Sequence, residues 1–447
     1  MAKGNKIMNE IVALSKRRGF IFQYSEIYGG INALWDMGPL GVEMKNNIKN
    51  FWWKYTVQMR SDVEGLDSSI LMHPKIWEAS GHIENFTDPL VECRNCHKRF
   101  RADEIKGNHC PNCGSDQLTE PKMFNLMFKT FIGPVESAEN TIYLRPETAQ
   151  GIYINYQNVM VTTRQKIPFG IAQIGKAFRN EISPGNFIFR SREFEQMEMQ
   201  YFVHPDEANR WFEYWRKMRW QWYLQLGIDE GKIHWHQHGE NELAHYARDA
   251  YDIEFDFPFG RKELEGVHNR GDFDLSRHQQ YSGKNLEYTD KVTGEKFIPF
   301  IIETSGGVDR CMLAILCDAY TVEPEQKDSN KMRTVLKMHP RISPIKVGVF
   351  PLVKKDGMPE IAKEIASELR KRFTVFYDEK DSIGRRYRRQ DEAGTPFCVT
   401  VDGQTLKDNT VTIRERDTLI QVRVKIDEIA PMIDKYIENW ERDKGIE

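Results

Sequence analysis

Long apolar runs are missing from this sequence. No stretch of its 447 residues reaches the roughly eighteen consecutive apolar residues that a membrane-crossing helix requires. The opening MAKGNKIMNEIVALSKRRGF has no apolar centre of the kind a signal peptide carries, so a cytoplasmic protein without a membrane partner is the expectation. Net charge is almost absent, at −3, which excludes a general polyanion binder; any nucleic acid must be held by local patches. Cysteine is scarce. The seven present are an odd number without a secretion signal, which argues against a disulfide framework. No internal repeat runs through the chain.

What is present is an ordinary globular mixture, 40% hydrophobic and 29% charged, in a chain too long for one core. Gly38-Pro39 marks a helix start, and Met44, Ile48, Phe51, Trp52 and Tyr55 follow at helical spacing. Residues 123–203 hold strand-like runs, 210–227 an amphipathic helix, 251–310 further strands and 311–320 a buried helix. TVEPEQKDSNKMRTVLKMHPRISP then reads as an extended linker. Beyond it, strands at Ile345–Phe350, Phe373–Tyr377, Phe397–Val401, Thr410–Arg414 and Leu419–Val424 alternate with helices at Pro359–Arg372 and Ile433–Trp440. The expected division is therefore 1–340 and 341–447, with a compact insertion at 91–120 in the first part.

That insertion carries Cys93-x2-Cys96-x13-Cys110-x2-Cys113, two knuckles that fit four thiolates around a structural zinc ion. A metal-free remnant is the alternative. Cys311, Cys317 and Cys398 stand alone.

The stretch FRNEISPGNFIFRSREFEQMEMQYF (178–202) reads as a hairpin turning at Ser183, Pro184, Gly185 and Asn186. Side chains alternate on strands, so Arg179 and Glu181 share one face, and Arg190, Arg192, Phe194, Gln196 and Glu198 share another. If those faces coincide, arginine forks can hold phosphates, a ring can stack on a base, and Glu181 can accept from an exocyclic amine. A solvated face with cross-strand ion pairs is the plainer reading. ETSGGVDRCMLAIL (303–316) repeats the logic, with Gly306-Gly307 and then Arg310 at a helix start. Gly384-Arg385-Arg386-Tyr387-Arg388-Arg389 is a local basic run, either a solvated helix face or an RNA contact. His234, His236 and His238 alternate without supporting metal-ligand spacing.

Three of these features, in this order, resemble class II aminoacyl-tRNA synthetases: the helix and strand of Leu40–Pro74 ending in LMHP, FRNE with FRSREF, and GGVDR. GFIFQYSEIYGG, WDMGPLGVEMKNNIKNFWW, HPKIWEASGH, LRPETAQGIY, FEQMEMQYF, LAHYARDAYDIEF and ELEGVHNRGDFDL narrow this to the homodimeric glycyl-tRNA synthetase family, over nearly the whole chain. Arg261-Lys262 after FPFG departs from it, a tryptophan being expected there. The resemblance implies an α+β fold: a class II antiparallel sheet with flanking helices, and a C-terminal α/β anticodon-binding domain of class IIa type. It implies a homodimer that activates glycine with ATP and magnesium and charges tRNA(Gly), with no DNA partner. Another class IIa synthetase, such as one for threonine or proline, and a non-catalytic tRNA-binding paralogue are the alternatives.

Carried onto this chain, the resemblance makes Arg179 and Arg310 catalytic. It gives ATP the segments Arg179, Asn180, Glu181; Phe189, Arg190, Ser191, Arg192, Glu193, Phe194; Glu263, Leu264; and Gly307, Val308, Asp309, Arg310. Glycine would be held among Arg101, Glu147, the run Phe194, Glu195, Gln196, Met197, Glu198, and the run Glu303, Thr304, Ser305, Gly306, Gly307. Magnesium would use Glu263 and Glu303, and tRNA would use Arg385, Arg386, Arg388 and Arg389.

Overall fold

Pro39 occupies the first turn of the helix Pro39–Trp53, where its missing N–H costs nothing. Met44, Ile48 and Trp52 of that helix are buried, as the spacing requires. In the computed structural model, which describes residues 2–441 apart from 106, 183, 184, 245, 326 and 327, this helix covers a seven-stranded sheet. The strand order is Ile233–Gln237, Asp249–Phe257, Gly260–Gly271, Phe300–Gly307, Glu193–Val203, Phe169–Phe178 and Val63–Gly65. All neighbours are antiparallel except the last pair.

Alternation along the strands divides the core. Met197, Met199 and Tyr201 point to one face, where the helices Pro39–Trp53, Ala208–Gln225 and Val308–Ala319 pack with Trp52, Trp215 and Trp222. Phe202 and Ile301 point to the other, against the helices Ala149–Thr163 and Phe273–Ser282 through Ile152, Tyr156 and Leu275. These last two helices stand where the sequence suggested strands. Both keep one face buried against the sheet, and neither run shows strict polar–apolar alternation.

The second sheet has five strands in the order Val375–Tyr377, Val347–Pro351, Phe397–Val401, Thr410–Glu415 and Gln421–Lys425. The first three are parallel and the last two antiparallel to their neighbours. Helices Met358–Leu369 and Ile429–Glu438 bury Ala362, Ile365, Ile429 and Ile433 on it, forming a separate core.

The segment read as an extended linker is folded instead. Tyr320–Glu325 pairs antiparallel with Asp328–Leu336. Its polar composition misled because Arg333 is buried by pairing: it donates to Glu323 (2.7 Å) and Asp391 (3.2 Å) and to the carbonyl of Arg416 (3.1 Å). No helix among the described residues is long and apolar enough to cross a membrane.

Candidate active site

The strands Phe169–Phe178 and Glu193–Val203 pair as far as Phe178 opposite Glu193. Arg179, Glu181, Arg190 and Arg192 therefore lie in the connection, not on the strands. Of the proposed turn, Ser183 and Pro184 fall outside the described residues; Gly185 and Asn186 lead into a single tight turn at Phe187–Phe189. Apolar anchoring explains the longer loop: Ile188 is buried in the main core and Phe187 packs edge-on to Trp35 at 4.8 Å. Within the strand, Phe194, Gln196 and Glu198 do share a face, and all three line one cavity of about 970 Å³, open to solvent.

Arg179 and Arg310 line the same cavity. Arg179 donates from Nε to the Pro146 carbonyl (3.0 Å) and sits over the rings of Phe86 and Phe194, each 5.3 Å away. Arg310 donates to the Phe189 carbonyl (3.3 Å), covers the Phe189 ring at 4.6 Å and pairs with Glu263 at 3.0 Å. Glu181 is buried, and its Oε2 lacks a hydrogen-bond donor. Arg190 Nε stands 3.4 Å from that oxygen, near enough for attraction between charges but outside hydrogen-bond geometry. A buried acceptor without a donor, beside a ring and two guanidinium groups, fits an exocyclic amine. Phe189, Ser191, Gly307 and Asp309 also line the cavity.

At the other end, Glu147, Glu198 and Glu303 converge. Glu303 accepts from Gln200 (2.7 Å), Arg270 (3.1 Å) and His268 (2.8 Å). Glu198 accepts from Thr148 (2.5 Å) and Gln200 (3.0 Å). Glu147 accepts from Gln150 (3.0 Å) and faces His82 at 3.3 Å. Burial opposes ionisation of all three, and their neighbours separate them. Burial and then the charges of Glu303 and Glu147 push the Glu198 carboxyl well above its ordinary range. Against the same burial, His82 and Arg270 bring Glu147 down to about 2, and Arg270 and His268 hold Glu303 well below the usual carboxylate range. His268 is raised to about 9: burial works against its charge, and Asp252 and Glu303 outweigh that. Gln196 donates to Ser305 Oγ (3.3 Å), and its own buried Oε1 has no donor. The arrangement presents acceptors and negative charge to a small cation.

The sequence runs assigned to this site do not all reach it. Because strand neighbours face opposite ways, Glu195 and Met197 lie behind the cavity: Glu195 pairs with Lys45 and Lys49 (3.1 Å each), and Met197 joins the main core. Thr304 and Gly306 likewise face the helices, a Cβ on Gly306 lying 3.1 Å from Glu265 Oε2. Leu264 and Val308 are core residues. Asn180 lines a different depression, Glu193 pairs with Lys176 at the surface, and Arg192 braces the carbonyls of Asn32 (2.9 Å) and Glu181 (3.1 Å). Arg101 is tied to Asp88 (3.0 Å) and Asp103 (2.7 Å), away from the cavity lining. His82, Tyr246, His268 and Arg270 were not singled out, although HPKIWEASGH, LAHYARDAYDIEF and ELEGVHNRGDFDL contain them.

The four paired cysteines do meet. Cys93 and Cys113, and Cys96 and Cys110, stand 3.6 Å apart, and all four sulfurs lie within 4.8 Å of one another. A zinc ion with bonds of about 2.3 Å to four thiolates sets sulfurs about 3.8 Å apart, so the set fits. Glu263 and Glu303 form no such group among the described residues. The reason is that Glu303 already has Arg270, His268 and Gln200 on its oxygens.

The arginine run occupies the helix Ile383–Ala393, and its members differ in exposure and in partners. Arg386 is buried and donates to the carbonyls of Pro351 (2.7 Å), Asp378 (3.2 Å) and Leu352 (3.3 Å). Arg388 pairs with Glu325 of the folded hairpin (2.8 Å), and Arg389 with Asp378 and Asp381 (2.7 Å each). Arg385 alone of the four points outward, with 76% of its side chain exposed.

Residues 130–319 match the family described as tRNA synthetase class II core domain (G, H, P, S and T), and residues 346–436 match the anticodon binding domain. Along its length the chain is similar to proteins named glycine–tRNA ligase. It is 57% identical to that of Treponema denticola over 443 residues, spanning 97% of this chain and 98% of the relative. It is 52% identical to that of Borreliella burgdorferi (98% and 99% covered) and 51% to that of Treponema pallidum (97% and 100%).

Proposed function

The chain belongs to the glycine–tRNA ligase family, and on that premise we propose that it joins glycine to tRNA(Gly) at the expense of ATP. The observation that carries this reading is the two-ended cavity, with Arg179, Arg310 and the donor-less Glu181 at one end and the three carboxylates at the other. ATP binds with its adenine against Phe194, its amine on Glu181 and its phosphates toward Arg179, Arg190 and Arg310. The glycine ammonium sits among Glu147, Glu198 and Glu303, beside Ser305 and the Gln196 oxygen.

In the first step a glycine carboxylate oxygen attacks the α-phosphorus. A new O–P bond forms and the bond to the bridging oxygen breaks, so pyrophosphate leaves with the electron pair. The carboxylate is already ionised, and no base is required. Arg179 is placed to neutralise charge gathering on the α-phosphoryl oxygens. In the second step a terminal tRNA hydroxyl, the 3′ one, attacks the adenylate carbonyl; AMP departs and the hydroxyl proton is released. A magnesium ion accompanying ATP would neutralise phosphate charge, with Glu263 beside Arg310 as its protein carboxylate. Glycine has no Cβ, so its selection needs a wall against any larger side chain, and Ser305 is the residue assigned to narrow the cavity there.

The residues 1–340 form the catalytic part and 341–447 the anticodon-binding part on this reading. The protein acts as a cytoplasmic homodimer, a reading supported by the exposed Phe22, Tyr24, Ile27, Tyr28 and Ile31 preceding the Pro39–Trp53 helix. The four thiolates hold structural zinc. Chelation should loosen residues 87–125 and spare the seven-stranded sheet, as hydrogen exchange would register; protein purified without chelator and free of zinc would refute the site.

The decisive experiment is exchange of labelled pyrophosphate into ATP with each amino acid in turn. Glycine alone should support it. Exchange with threonine or proline and none with glycine would overturn the proposal.

A further inference from the structure

The His234–His236–His238 series found in the sequence does not gather a metal site among the described residues. His238 instead ends a line of polar contacts that begins in the cavity. His268 is the direct cross-strand partner of Glu303, with Nδ1 2.8 Å from Oε1. Its Nε2 lies 3.8 Å from Asp252 Oδ1, and Asp252 Oδ2 lies 2.8 Å from His238 Nε2. His236 turns to Glu242 instead, 3.3 Å away. Gly266, opposite Asp252, makes room for this: a Cβ there would stand 2.8 Å from His268 Nε2.

Glu303 has other partners. Arg270 reaches both of its oxygens (3.3 and 3.1 Å) while also gripping Asp274 (2.7 and 3.0 Å), and so draws Glu303 toward the Phe273–Ser282 helix. His268, two residues before Arg270 on the same strand, fixes Glu303 through Oε1 as well. Resting on the reading of the cavity as a glycine site, we propose that His268 is a positioning residue: it holds Glu303 in the orientation that meets the substrate ammonium, and Asp252 and His238 hold its ring. Glu303 then lines the cavity as a fixed carboxylate, its oxygens held by His268, Arg270 and Gln200. His268 and Asp252 on adjacent strands, with His238 just beyond the end of the next, form a support of the kind that precise placement of a binding group requires.

The test is pyrophosphate exchange by the full chain, with KM for glycine and for ATP measured separately. Removal of one hydrogen bond to a charged group should raise the glycine KM of His268→Ala by roughly tenfold or more while ATP KM stays within about twofold. His268→Gln, which can still donate to Glu303, should recover part of the loss. Asp252→Asn and His238→Gln, which act through the ring, should raise the glycine KM by about threefold and about twofold in turn, and they decide the matter if His268→Ala does not fold. An unchanged glycine KM, or glycine and ATP KM rising together with a lowered Tm, would overturn the proposal. A wild-type protein inert with glycine would instead overturn the glycine reading, and the role of His268 with it.

Discussion

Arg179 and Arg386 come from stretches that look alike in the sequence, each an arginine among other arginines beside an aromatic residue. The fold separates them. Arg179 has one carbonyl partner and two ring faces, and it borders an open cavity. Arg386 spends its donors on three carbonyls inside the smaller domain. The lesson is that a guanidinium becomes a ligand-binding group only where the chain leaves its donors without internal acceptors. Where carbonyls and carboxylates surround it, it joins elements together. The Ile383–Ala393 helix shows the same joining by guanidinium groups, with Asp391 bound to Arg414 of its own sheet and to Arg333, and Glu392 bound to Arg17 and Arg18.

Variants can break or sharpen this contrast. Arg179→Ala should slow glycine-dependent exchange by about a thousandfold, the scale of losing a group that neutralises transition-state charge, with circular dichroism unchanged. Near-normal exchange in a folded variant would place Arg179 with the structural arginines. Arg386→Ala should cost about 3 kcal/mol of stability by leaving buried carbonyls without donors, and should spare adenylate formation below the melting transition. If it keeps its Tm and loses tRNA affinity, Arg386 is an RNA contact and not a brace.

The cavity's own cost is visible at Glu198. Its carboxyl favours the proton in the folded state, so the penalty is absent below the ordinary value of 4.5 and grows as pH rises above it. Glu198→Gln should therefore raise Tm at pH 7 by a few degrees, about 1 kcal/mol, and leave it unchanged at pH 4, while weakening glycine binding. Equal shifts at both pH values would contradict the assignment. Arg385→Ala should be the mildest change, within about 0.5 kcal/mol in stability, because the side chain is exposed; a salt-dependent rise in tRNA KM would identify it as the part of the run that meets RNA.

Much of the site was legible beforehand. Phe194, Gln196 and Glu198 share a face because strand geometry leaves no alternative, and the cysteine spacing foretold a meeting of four sulfurs. Contiguous runs such as Glu195-Gln196-Met197 could not all face one ligand, and the same alternation shows why Glu195 and Met197 lie behind the cavity. His82, His268 and Arg270 were hidden for another reason. Each matters through a partner distant in sequence: Glu147 for His82, Glu303 for the other two.

The order of residues along the chain settled what short-range geometry controls: helix starts, strand faces, thiol spacing and the family pattern. Only the tertiary structure decided which charges remain open to a ligand, that a polar stretch before the smaller domain folds into a hairpin, and which way each cavity carboxyl is shifted. For the two carboxyls the outcome is one of direction, Glu198 pushed above its ordinary range and Glu147 pulled below it. All of these outcomes depend on desolvation and on partners brought together across the sheet, and both arise only when distant segments pack.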